Sequence, residues 1–126
     1  MAVREFTYCR VYADDDGESH FEDVTVPMEP VDYAPPAAAL DHAALGDAAT
    51  LAVIGSDDAW EGETFHPPPA RQFMLVLRGH GRVTVSDGAS REFGPGDVFL
   101  FDDTRGKGHA SKFFDECIVA AVRLAG

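Results

Sequence analysis

Positive charge is scarce in this chain: 10 lysines and arginines stand against 22 aspartates and glutamates in 126 residues, a formal net charge of -12. A surface of that sign repels phosphates, which excludes a nucleic-acid partner and disfavours docking on an anionic membrane. Its simplest role is to keep the protein soluble. Cysteine is scarcer still. Cys9 and Cys117 are the 2 present, with no CxxC pair. Both lie in apolar, strand-like contexts, which reads as buried free thiols rather than a disulfide or a nucleophile. No segment approaches the roughly 20 apolar residues of a membrane span. The opening MAVREFTYCRVYADDDG has no apolar run of signal-peptide length, so the expectation is a soluble cytoplasmic protein. Ser56, Ser86 and Ser90 have no G-x-S-x-G setting, and no G-x-x-x-x-G-K loop occurs, so neither a serine nucleophile nor a phosphate cradle is in view.

What is present is the composition of an ordinary globular protein, 45% hydrophobic and 25% charged. The length suits one domain over residues 1–126. Residues 3–12 and 20–26 read as two strands joined by the acidic turn Asp14-Asp15-Asp16-Gly17. That turn lacks the spacing and closing glutamate of an EF-hand and is expected to be solvated. From Pro27 to Asp47 proline and alanine dominate. Proline is expected to forbid a ladder there, leaving an irregular wrap with a short helix over Ala37 to Leu45. From Leu51 onward eight short strands are expected, at 51–55, 63–66, 71–78, 81–86, 89–93, 97–101, 109–114 and 116–124. The turns between them carry Gly79-His80-Gly81, Asp87-Gly88 and Gly94-Pro95-Gly96. Many short strands with such turns predict an all-β sandwich or barrel. Gln72 to Leu77 is apolar on both strand faces, which predicts burial against a second sheet, a wrapping segment or a partner chain, and so a homodimer.

The informative stretch is FHPPPARQFMLVLRGHGRVTVSDGASREFGPGDVFLFDDTRGKGH, residues 65–109. His66 is followed by Gln72 and Gly79, then by the Gly94-Pro95-Gly96-Asp97 turn and His109. Over residues 60–120 this resembles the paired motifs of the cupin superfamily. The resemblance implies a jelly-roll β-barrel with a central pocket. In that family the first motif supplies two histidines one residue apart and a glutamate, and the second supplies one more histidine. Together these hold iron, manganese, nickel or zinc, metals suited to mixed nitrogen and oxygen donors. Here His66 matches the first histidine, Pro68 falls on the second, and Gln72 replaces the glutamate. Gly106-Lys107-Gly108-His109 keeps the second motif's ending, after a longer segment with Asp102 where proline is usual.

Three readings of His66 and His109 stand side by side. Each is a hydrogen-bonded polar residue at a strand end; or the pair binds a divalent metal with His20 or Gln72; or the imidazoles move protons without a metal. In the metal reading Glu22 shares the strand face of His20, and Asp102 or Asp103 restores a carboxylate. The metal-free reading is preferred, because imidazole both accepts and donates near neutrality. Gln72 then orients a substrate carbonyl or hydroxyl; its plainer alternative is an amide bonded to the backbone. Met74 and Val76, on the same strand face, form an apolar floor. Trp60 and Phe65 flank the approach to His66, and Lys107 and His20 are further candidate substrate contacts. The resulting expectation is an enzyme acting on a small organic molecule by isomerisation, cyclisation or elimination beside a carbonyl. A metal-dependent oxygenase or isomerase and a non-catalytic binding module are the rivals.

Overall fold

Strands and no helix make up the described part of the chain, residues 4–126 of the computed structural model. β1 (Glu5–Ala13) and β2 (Ser19–Pro27) form the hairpin expected around the acidic turn, where Asp14 Oδ1 accepts the amides of Asp16 and Glu18. There follow β3 (Glu29–Val31), β4 (Leu40–His42), β5 (Ala48–Ser56), β6 (Gly62–His66) and β7 (Gln72–Arg78). The chain closes with β8 (Gly81–Val85), β9 (Ser90–Phe93), β10 (Val98–Asp102), β11 (His109–Phe113) and β12 (Cys117–Leu124). All eight strands expected after Leu51 are present.

The proline-rich wrap departs from expectation. β3 and β4 pair as an antiparallel ribbon with Pro30 opposite Asp41, and no helix forms over Ala37 to Leu45. Proline is tolerated because both strands of such a ribbon are edges. A helix has little to recommend it, since Leu40 is exposed and gains nothing from burial.

The other strands form two sheets, one ordered β2-β1-β10-β7-β12-β5 and one ordered β6-β11-β8-β9. β1 runs parallel to β10; the other pairings are antiparallel. Cys9, Val11, Val76, Phe99, Phe101, Cys117 and Val119 of the first sheet pack with Val83, Val85 and Phe93 of the second into one core. Both cysteines are buried free thiols, as expected. The sheets therefore face each other, but among the described residues no ladder closes them into a continuous barrel. At one corner serines take the place of a ladder. The Ser19 amide donates to Ser86 Oγ at 2.7 Å and the Ser86 amide donates to Ser19 Oγ at 2.8 Å.

β7 is buried on both faces in its first part, as its apolar run predicts, but Leu77 near its end is 56% exposed. Val76 faces the core, and Phe73 lies on the opposite face under the Tyr8 ring, edge-on at 5.1 Å. Leu45 and Gly46 of the wrap border a groove with Phe73 and Leu75, so the wrapping segment helps cover this side. β5 is different. This edge strand carries no charged residue in AATLAVIGS, yet Leu51 is 73% and Val53 68% exposed.

Candidate functional site

A cavity of about 270 Å³ lies between the sheets. His66, Gln72, Met74, Val76, Trp60 and His109 all line it, so six residues singled out from the sequence meet in one place. β6 ends on His66 and β11 begins on His109, and the two are cross-strand partners with ring centroids 5.4 Å apart. Gly108 makes that approach possible. It holds φ +74, and a Cβ there would stand 2.1 Å from the His66 carbonyl carbon, so only glycine lets the chain pass.

His109 is 5% exposed and Asp103 is fully buried beneath it, with His109 Nδ1 2.7 Å from Asp103 Oδ2. A carboxylate accepts, so Nδ1 carries the proton and Nε2 keeps its lone pair. Phe101 stacks on the imidazole at 4.1 Å and 14°, fixing its plane. Nε2 has no protein partner but is not sealed, because among the described residues Asp103 Oδ1 is the lone buried side-chain polar atom without one. The cavity is where Nε2 opens. At the rim, the exposed His66 donates from Nδ1 to the Pro67 carbonyl at 3.1 Å, which leaves its Nε2 free in the same way. Gln72 makes no side-chain bond within the described residues, so its amide is not tied to the backbone. Two bare imidazole nitrogens and one free amide thus share one small, largely aromatic space.

Other residues singled out from the sequence lie elsewhere. His20 does not line the cavity: its Nε2 meets Asp14 at 2.6 Å and its Nδ1 meets Asp87 at 2.8 Å, so both nitrogens are occupied. These carboxylates, Asp14 first, raise its pKa above the usual histidine value. Lys107 is paired with Glu18 outside the cavity. Phe65, expected at the mouth, is not among the lining residues. Glu22 turns to Arg10 at 3.6 Å, and Asp102 is held by Arg10 at 2.8 Å and Arg71 at 3.0 Å. The role of Asp103 is not that of a cavity donor, because its bond runs to the back of His109.

Among the described residues no three of His, Cys, Asp and Glu converge. The donor set at the cavity, two imidazoles and a neutral amide, does not fit a divalent ion that needs carboxylate or a third imidazole. Sequence reasoning missed Ser111, Phe93, Phe99, Phe101 and Phe113 as cavity walls. Strand alternation from His109 pointed to Ser111 and Phe113, whereas Phe93 and Phe99 reach the cavity only through the pairing of the sheets. No protein-family model matches the chain, and no curated protein matches it.

Proposed function

We propose that the protein is a small cupin-like enzyme of jelly-roll type that moves a proton on a carbon next to a carbonyl. The observation that carries this reading is the buried Asp103–His109 pair, whose free Nε2 opens into the cavity. A buried carboxylate with one unpartnered oxygen costs stability, about 1–3 kcal/mol for the orphaned acceptor. Packing alone gives no return for it; an oriented imidazole does. In the reaction His109 Nε2 takes the α-proton, breaking the C–H bond and leaving the electron pair on the enolate. The Gln72 amide N–H donates to the enolate oxygen. The proton returns from His109 Nε2 to the α-carbon or, where the substrate is a β,γ-unsaturated carbonyl compound, to the γ-carbon of the dienolate, so that the double bond shifts without net oxidation and His109 is restored. The cross-strand pairing of His66 with His109, at the ends of the two motif segments, supports the cupin likeness.

The test follows the exchange of α-hydrogen for deuterium in a panel of carbonyl compounds. His109→Ala is expected to lose about 10²–10⁴-fold in rate; a rate within a few-fold of the parent sinks the assignment. Elemental analysis of the parent, His66→Ala and His109→Ala addresses the rival metal-dependent oxygenase or isomerase, which requires near-stoichiometric metal that falls in both variants. Ligand binding weakened by His66→Ala, with no turnover of any compound, favours a binding module instead.

The reading includes a homodimer formed through β5. Its outer edge has no strand partner among the described residues, and its nine residues are uncharged on a chain of net charge -12. Two like-charged copies meet with least repulsion across such a face, and an antiparallel pair of β5 strands satisfies the free backbone groups of both. A cytoplasmic setting accords with two free thiols.

A further inference from the structure

We infer that the cavity takes an uncharged, largely apolar molecule of one or two rings bearing a carbonyl, and that it rejects anions of the same shape. The inference rests on the proposed function for the placement of the carbonyl, which lies toward Gln72, His66 and His109. The exclusion of charge rests on the walls alone.

Among the described residues, no lysine, arginine, aspartate or glutamate lines the cavity. The cations nearest in sequence to its walls are engaged elsewhere: Arg71 lies by Asp102 at 3.0 Å, Arg82 and Lys112 by Glu63 at 3.5 and 4.0 Å, Arg91 by Asp23, and Lys107 by Glu18. A carboxylate or phosphate entering would lose its water and meet no lysine or arginine. Asp103 stands one imidazole ring behind the polar end, with His109 already on its Oδ2, and the whole chain carries -12. Both terms act against an anion. The remaining polar side chains, Gln72, Ser56, Ser111, the Cys117 thiol and two imidazoles, are neutral donors and acceptors that can serve an oxygen function.

The apolar walls set the shape. Phe99, Phe101 and His109 form a column of nearly parallel rings, at 5.7 Å and 5° and then 4.1 Å and 14°. Phe93 stands edge-on to Phe99 and to Phe113, and Trp60 stacks on Phe113 at 5.0 Å. A flat ring fits among flat rings, in offset or edge-to-face contact. The volume of about 270 Å³ falls just under the roughly 300–1,000 Å³ of drug-sized sites, which limits the guest to one or two rings.

The experiment is titration calorimetry of the full chain with three bicyclic probes of similar size: 1-tetralone, tetralin-1-carboxylate and 1-aminotetralin. Tetralone is expected to bind at least ~10-fold more tightly than either charged analogue, a difference of about 1.4 kcal/mol. Gln72→Lys supplies the missing cation and is expected to move the carboxylate-to-ketone affinity ratio at least ~10-fold toward the carboxylate. Its melting temperature, taken alongside, confirms that the variant is folded. Equal or tighter binding of the carboxylate or amine to the parent overturns the inference, and so does failure of all three probes to bind. Deuterium exchange into tetralone separates this from the reaction itself. Ketone preference without His109-dependent exchange overturns the chemistry and leaves the ligand class standing, whereas exchange with carboxylate preference does the reverse.

Discussion

Asp103 and His109 show how much of this site depends on single residues. The carboxylate fixes which imidazole nitrogen holds the proton and, in the proposed reaction, would stabilise the imidazolium that proton abstraction creates. Asp103→Asn keeps the size and removes the charge. The expected result is a fall in kcat of about 10²–10⁴-fold, of the order of a lost general base, with KM little changed. The ¹⁵N shifts of His109 should at the same time lose the signature of a fixed Nδ1–H. Asp103 acts through His109, so unchanged kcat with unchanged ¹⁵N shifts would show that it only fills space. His66, Gln72 and His109 were readable as a group because their spacing survives in the sequence. Asp103 was visible only as one of two adjacent aspartates. Which of them served a histidine, and which served Arg10 and Arg71, depended on the direction of the chain after β10.

At the scale of elements, the segment carrying His109 is held by the turn between β1 and β2. The Lys107 amide donates to the Gly17 carbonyl at 2.9 Å, Ser19 Oγ donates to the Gly108 carbonyl at 2.6 Å, and Arg105 donates to the Asp14 carbonyl at 2.8 Å. His20 ties that turn to the one between β8 and β9 through Asp14 and Asp87. Other groups near this tie are the Tyr12 ring, Glu18 and Lys107; the pKa of Glu18 is lowered by Lys107 first and Ser86 second. Asp14 is lowered chiefly by His20, and Asp87 chiefly by the Ala89 amide, with His20 also contributing. The raised pKa of His20 makes its contribution complete below the unfolded histidine value of about 6.5, and lost as pH rises through the folded value. The lowered pKa values of Asp14 and Asp87 make theirs complete above about 3.9, and lost as pH falls through the folded values. The melting-temperature gap between the parent and His20→Gln is therefore expected to be widest between about pH 4 and 6.5 and to close on the alkaline side. A gap that stays constant from pH 6 to 9 would show that His20 is not held as a cation.

For the whole molecule, the balance is between an acidic surface and an uncharged edge. Most of the exterior keeps copies apart, while β5 leaves Leu51 and Val53 in water. In register, Val53 sits beside Ala120 and Leu75, and Leu51 beside Val122 and Phe73, so the exposed side chains continue an apolar sheet face. Sedimentation velocity is expected to give a dimer for the parent and a monomer for Val53→Glu, because the variant places two carboxylates in one interface. A parent that sediments as a monomer at tens of micromolar overturns the pairing. Ile54, Ser56 and Trp60 border the cavity from this same side, so dissociation should also change access to it.

The sequence by itself determined the positions of the strands after Leu51, the acidic hairpin and the grouping of His66 with Gln72 and His109. Each is written in local signals: alternation, glycine turns and motif spacing. It misread the wrap, where proline chemistry left the choice between an irregular path and a β3–β4 ribbon to the ends of the segment. It also placed His20 at the pocket, because a histidine on a strand carries no mark of which carboxylates will surround it. Only the tertiary structure decided that His20 joins two turns, that Asp103 supports His109 from behind, and that no lysine or arginine among the described residues lines the cavity. Those are matters of which distant segments meet, and chain pairing across two sheets sets them rather than any neighbouring residue.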